Sequence, residues 1–167
     1  MLLSPDPDFK TARSYHIFIC TALSTLHHQV CIIKLKAVPP KFQKIEVLDT
    51  EAVGKLLLLD GKTMVSDLDE FVYHEVMAHI PYMVSRRCEN VLIIGGGDGG
   101  VVREFAKHKD IKRIDLVEID ERVIEVSRKY FPDCTSAFDD PRVNILPQDG
   151  FAFIQKKKNE YDIIIID

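Results

Sequence analysis

No stretch of the 167 residues approaches the run of ~20 consecutive apolar residues that a membrane-spanning helix requires. Basic clusters are missing too. Twenty-two Lys plus Arg stand against 26 Asp plus Glu, a formal charge of -4, which argues against a nucleic-acid surface and against polyphosphate partners. The four cysteines, Cys20, Cys31, Cys88 and Cys134, form no C-x-x-C pair and lack zinc-ligand spacing. They read as buried or idle thiols, as suits a reducing compartment. Internal repeats and low-complexity segments are absent. The apolar stretch 17–26 has the length of a signal-peptide core with Lys10 and Arg13 upstream, but Asp6 and Asp8 spoil the basic flank. What is present suits one globular domain with an appendage, at 46% apolar and 29% charged residues. Glycine carries the clearest signal: of eight in the chain, Gly95, Gly96, Gly97, Gly99 and Gly100 fall within six consecutive positions.

Residues 1–41 give no assignable pattern. From Phe42 two strand-like runs, 42–47 and 55–59, precede Asp60-Gly61 and a further run 62–65. Asp-Gly between apolar runs signals a tight hairpin, because both central positions of a type I′ turn need positive φ. Residues 42–65 are therefore expected to form a small β-hairpin appendage. Ser66-Asp67-Leu68-Asp69 matches a helix start signal, with Asp67, Asp69 and Glu70 in the first turn where the helix dipole favours anions. The helix is expected to reach about Ile80 and stop at Pro81. On it His74 and Glu75 share one side, and Tyr73 lies about a quarter-turn away. His74 and His79 are five residues apart, roughly 140° around a helix, so they cannot share a metal as an H-E-x-x-H pair does. From Asn90 strands and helices alternate: strands 91–94, 113–118, 143–146 and 161–166, with helices 101–108, 121–130 and 151–157 between them. Near-continuous apolar strands such as Val91 to Ile94 and Ile163 to Ile166 predict a parallel sheet covered on both faces. The expected class is α/β, a doubly wound parallel sheet over residues 66–167.

Gly95-x-Gly97-x-x-Gly100 follows an apolar strand and opens a helix, as the nucleotide-binding fingerprint requires. Glu118, about 20 residues on at the end of the second strand, is placed for ribose hydroxyls. A carboxylate at Asp98, inside the turn, would repel a pyrophosphate and attract a sulfonium or ammonium. The pocket is thus expected to hold an adenosyl sulfonium rather than a dinucleotide, with Asp149-Gly150 near the adenine. Each of these acidic residues but Asp98 has a bland alternative. Asp149 is equally suited to cap the helix from Phe151, and Glu118 or Asp120 the helix from Glu121. Asp98 is expected to cap nothing. Asp98, Glu118, Asp149 and Asp167 all lie at strand ends on one edge of the sheet, which favours a shared ligand.

In order and spacing, several segments resemble the spermidine synthases, aminopropyltransferases that use decarboxylated S-adenosylmethionine. These are Leu59-Asp60-Gly61, the helix Asp69 to Glu75, the loop Ile93 to Gly100, Glu118-Ile119-Asp120, Asp149-Gly150 and Tyr161 to Asp167. The resemblance covers Phe42 to Asp167. It implies an S-adenosylmethionine methyltransferase-like fold in which Gln43, Glu118, Asp149 and Gly150, with the loop glycines Gly95 and Gly97, bind the nucleoside. It also implies that Tyr73, His74 and Asp98 bind the amine substrate and that Asp167 is the proton acceptor opening the family's D-[ST]-x-D-P segment. It implies no prosthetic group and no metal. Decarboxylated S-adenosylmethionine is the co-substrate, putrescine the partner, spermidine and methylthioadenosine the products, and the full-length protein a cytoplasmic homo-oligomer.

Two departures stand out. Lys41 occupies the position where a serine is expected before Phe-Gln. The second aspartate of the D-[ST]-x-D-P segment and the strands after it are not in the sequence, which leads us to expect a truncated chain without turnover of its own. The alternative is a non-catalytic homologue that binds nucleoside or a full-length partner. An S-adenosylmethionine methyltransferase shares the loop and Glu118 but leaves Asp98 together with Asp167 unexplained.

Overall fold

The computed structural model describes residues 32–38 and 42–167. The stretch 17–26, Cys20, Cys31 and Lys41 lie outside them. Four antiparallel strands come first: β1 (Ile32–Val38), β2 (Ile45–Thr50), β3 (Gly54–Leu59) and β4 (Lys62–Ser66), paired in chain order. The antiparallel unit thus begins within the segment whose sequence gave no pattern, and it has two more strands than a hairpin. The β3–β4 connection is the expected tight turn, with positive φ at both Asp60 (50°) and Gly61 (77°). Ile45, Val47, Leu57 and Val65 form the buried side of this sheet and pack on Val123, Val126 and Phe131.

Helix α1 (Glu70–Val84) starts later and ends later than its sequence signals suggest. Ser66 closes β4 and gives its hydroxyl proton to Asp69 Oδ1, so the pair braces the turn instead of capping. Asp69 caps the helix with no side-chain bond, and Glu70 alone supplies first-turn charge. Pro81 lies inside the helix. So close to the C-terminus it forfeits one backbone bond while its fixed φ stays helical, and its own carbonyl still accepts from Ser85 N–H.

Then follow β5 (Asn90–Ile94), α2 (Gly100–Ala106), β6 (Arg113–Glu118), α3 (Glu121–Tyr130), a 3-10 turn (Cys134–Ala137), β7 (Val143–Pro147), α4 (Gly150–Ile154) and β8 (Ile163–Ile166). All four strands are parallel, in the order β7-β6-β5-β8. The order reverses at β5, where the glycine loop begins, and the carboxyl ends beside such a switch point are where open α/β sheets take ligands. Val91, Ile93, Val101, Val102, Phe105, Ile114 and Leu116 make the central core. Coverage of β8 is one-sided: Ile163 and Ile165 are buried, whereas Ile164 and Ile166 are 49% and 77% exposed. The four isoleucines predict cover on both faces, but no described element lies over the second. Cys88 and Cys134 are buried free thiols. Among the described residues no helix is long and apolar enough to cross a membrane.

Candidate active site

At Gly95 the chain leaves β5 with its N–H donated to Val117 O at 2.9 Å, tying the loop to β6. Gly96 has φ +67°, and a Cβ there would stand 2.7 Å from Asp167 Oδ2. Glycine is needed at this point both for the left-handed backbone and for the approach of a carboxylate. Gly100 opens α2 with the imidazole of His74 directly against it, since a Cβ would lie 2.1 Å from Nδ1. The last glycine of the fingerprint therefore serves a histidine slot in this protein.

Two groups of acidic residues result. The first lies at the end of β6 and β7. Glu118, buried, accepts from Gly97 N–H at 3.2 Å and from Asp120 N–H at 2.9 Å. Burial, aided by the charge of Asp120, raises its pKa although these backbone N–H groups work the other way. Asp120 caps α3 through Arg122 N–H and holds the Arg122 guanidinium, which reaches the carbonyl of Gln43 at 3.3 Å. Gln43 is so brought beside the loop following Glu118. Asp149 is exposed and caps α4, accepting from Phe151 N–H at 2.8 Å and Ala152 N–H at 3.4 Å. Gly150 is buried against Ile94.

The second group lies at β5 and β8. His74, only 2% exposed, has Nε2 at 3.1 Å from Asp98 Oδ1 and Nδ1 at 2.5 Å from Glu70 Oε2. Burial lowers its basicity, but the two carboxylates outweigh it and hold the pKa above the usual value. Glu75, expected on the same side, is exposed. Asp98 is not the cap of α2, whose N-cap is Gly99, but its Oδ1 accepts from Gly100 N–H at 2.8 Å and so braces the loop. A carboxylate two residues ahead of a helix-opening N–H folds back onto it, an Asx turn that the glycines leave room for. Tyr73 donates its hydroxyl to Asp167 Oδ1 at 2.7 Å. Burial and this bond push the tyrosine up to about 12, so it stays a donor. Asp167 is exposed at the mouth, and crowding by its neighbours together with the charge of Asp98 raises it, against the bond from Tyr73 and the charge of His74.

Sequence patterns missed two participants. Arg103 on α2 grips Glu70 with two bonds of 2.9 Å and directs Nε to buried Glu104 at 2.8 Å. Glu70 stands four residues before His74, a spacing that could have signalled the pair. Nothing in the pattern marks Arg103. Glu70, His74 and Cys134 bring possible metal-ligand atoms within 4.8 Å of one another. The Arg103 guanidinium already supplies the cation this trio would attract, at 2.9 Å from Glu70 and 4.0 Å from Cys134 Sγ.

Fold and site define an α/β domain of the methyltransferase-like type with an acidic mouth. The Spermine/spermidine synthase domain matches residues 70–167, and the chain belongs to that family. It is 52% identical over 127 residues to the polyamine aminopropyltransferase of Alkaliphilus metalliredigens and 49% identical to that of Bacillus subtilis, covering 76% of this chain in each case. The chain spans 45% and 46% of those relatives' lengths. A crystal structure of spermidine synthase with the transition-state analogue AdoDATO is similar at a TM-score of 0.78 and 42% identity, over 80% of this chain and 47% of that one. Spermidine synthase from Thermotoga maritima gives a TM-score of 0.78 at 41% identity, with the same coverage.

Proposed function

We propose that this chain belongs to an enzyme that moves the aminopropyl group of decarboxylated S-adenosylmethionine to putrescine, giving spermidine and methylthioadenosine. The observation that carries the reading is that adjacent residues of α1 hold both carboxylates at one mouth, Tyr73 donating to Asp167 at 2.7 Å and His74 meeting Asp98 at 3.1 Å. A diamine arrives as a dication and needs carboxylates on its path. Its attacking ammonium must also give up a proton, and a carboxylate with a raised pKa accepts one more readily. The amine lone pair then forms a bond to the methylene carbon beside the sulfonium. The carbon–sulfur bond breaks with its electron pair going to sulfur, so the leaving group is a neutral thioether.

In this reading Asp167 is the proton acceptor, Tyr73 orients it, and Asp98 holds the amine. Glu118 takes ribose hydroxyls, with Gln43, Gly95, Gly97, Asp149 and Gly150 around the rest of the nucleoside. Asp149 uses one oxygen as a cap, and its exposed second oxygen is available to a ligand. Alignment of the two substrates is the main contribution, worth up to ~7 to 11 kcal/mol for reactants in near-attack geometry. The transfer is proposed for a polypeptide of its relatives' length, cytoplasmic and homo-oligomeric as the resemblance suggests. The 167 residues alone are proposed to bind nucleoside without turnover. Titration calorimetry of this chain with methylthioadenosine tests the binding half, and chromatographic detection of spermidine from the longer polypeptide tests the transfer. Methyl transfer from S-adenosylmethionine to an amine, with no aminopropyl transfer, would overturn the reading.

A further inference from the structure

Helices α1 and α2 run side by side in the same direction, with Gly100 against His74 near the mouth and Glu104 against His79 farther along. Their far ends meet in a second cluster of titratable groups that the proposed reaction does not use. His79 Nδ1 lies 3.0 Å from His108 Nε2, and His79 Nε2 lies 3.1 Å from Glu104 Oε2. The ring of Tyr82 stacks on His108 with centroids 3.6 Å apart. We propose that His79 and His108 form an acid-sensitive clamp, which fastens the last turns of α1 to the end of α2 and opens when the pair takes up a second proton. Nothing in the clamp depends on the reaction at the mouth.

Proton counting sets the threshold. Burial of Glu104 raises its pKa, but Lys107 and Arg103 outweigh burial and keep it below the ordinary value, so the carboxylate stays an acceptor and His79 keeps a proton on Nε2. In the neutral pair His79 Nδ1 accepts from His108 Nε2–H. One added proton sits on His79 between two acceptors, and the bond reverses, Nδ1–H donating to His108. A second proton puts N–H groups on both facing nitrogens, two like charges with no lone pair between them, and the contact fails. Ring centroids 5.1 Å apart set the nitrogens head to head. The gap suits a proton, since a metal ion in line would need about 4 Å. Burial and the charge of His79, with Lys107, hold the pKa of His108 below the usual value, against Asp110 and Glu104. Tyr82 from α1 and Arg142 ahead of β7 complete the surroundings, Arg142 through the His108 carbonyl at 2.8 Å. The end of α1 leans on these side chains, because Pro81 removes a backbone bond from its last turn. Beyond it Tyr82 is held by the stack and by giving its hydroxyl proton to Asp110 at 2.8 Å.

The test is ¹⁵N NMR of the imidazoles in the full 167-residue chain, paired with amide hydrogen exchange read as protection factors, which remove the intrinsic pH dependence. The two rings are expected to titrate as one coupled system in two steps more than about one pH unit apart, the lower step below the ordinary ~6.5. A depressed folded value stabilises above the unfolded one and loses that contribution as pH falls through the folded one. Protection of amides 82–85 should therefore fall through the lower step, by about tenfold for a one-unit depression. Asn90, whose N–H is held by Asp162 at 2.9 Å, should keep its protection. His108→Gln, which bears a hydrogen-bonding group that does not titrate, should flatten the fall. Tyr82→Phe keeps the stack without the Asp110 bond and should retain it. Independent titration of both rings at the ordinary imidazole value overturns the clamp, as does unchanged protection of 82–85 through the lower step. A fall abolished in Tyr82→Phe would put the sensor at Asp110 and overturn it too. Should His108→Gln not fold, the unmodified chain and Tyr82→Phe decide.

Discussion

The acidic residues at the β6 and β7 ends and those at the β5 and β8 ends look alike in sequence, yet they are held in different ways. Glu118, Asp120 and Asp149 accept from backbone N–H groups at 2.8 to 3.2 Å. Asp98 also accepts from a backbone N–H, that of Gly100 at 2.8 Å, but it and Asp167 in addition meet side chains that arrive from α1, His74 at 3.1 Å and Tyr73 at 2.7 Å. A carboxylate bound to local N–H groups is set by its own loop and stays in place if the rest of the protein moves. One bound to a distant side chain depends on the packing of two elements, so its position and its proton affinity can be tuned by residues that never meet the ligand.

Substitutions should separate the two groups. The largest effect is expected from Asp167→Asn in a polypeptide of the relatives' length: loss of a general base removes about 10²- to 10⁴-fold in kcat. Folding should be little changed, because Asn still accepts from Tyr73. Steady-state kinetics beside a thermal melt checks both halves. Asp98→Ala should damage the fold as well as the proposed transfer, since it removes the acceptor of Gly100 N–H and one of the two carboxylates that face buried His74. Leaving a buried polar group without its partner costs about 1 to 3 kcal/mol, read by urea denaturation. An unchanged midpoint would mean that the His74 contact carries no energy.

Smaller effects fall on the backbone-held group. Glu118→Gln keeps the shape but weakens charged hydrogen bonds, worth ~1.5 to 3 kcal/mol, so methylthioadenosine affinity should drop roughly ten- to a hundredfold by calorimetry. Affinity that does not change would make Glu118 purely a brace for the loop. Asp149→Ala should cost about 1 kcal/mol of stability through the lost cap of α4.

The pH dependence is the subtlest difference. His74 has a folded pKa raised above its unfolded value of ~6.5. Its stabilisation is fully present below that unfolded value and is lost as pH rises through the folded one. Melting temperature should therefore decline on the alkaline side, and His74→Asn should flatten that decline. Glu70, lowered by Arg103 and His74 despite its burial, acts oppositely: its contribution holds above pH ~4.5 and is lost as pH falls through the folded value.

Local pattern determined a good deal of this protein. The near-continuous apolar runs and the helical segments that alternate with them after Asn90 predict every strand and helix of the parallel sheet, with β6 and α3 at their observed bounds of Arg113–Glu118 and Glu121–Tyr130. Asp60-Gly61 predicts its turn and the glycine run predicts the loop, because backbone conformation there depends on residues adjacent in the chain. Tertiary structure alone decided the rest. Pro81 stays helical because a helix near its end loses only one bond, and among the described residues Ile164 and Ile166 of β8 stay exposed because cover depends on which elements lie over them. Arg103 reaches Glu70 across 33 positions, and Tyr73 reaches Asp167 across 94. No periodicity encodes such meetings. They exist because the parallel order places β5 beside β8 with α1 against their ends, and side-chain chemistry at the mouth is the product of that packing.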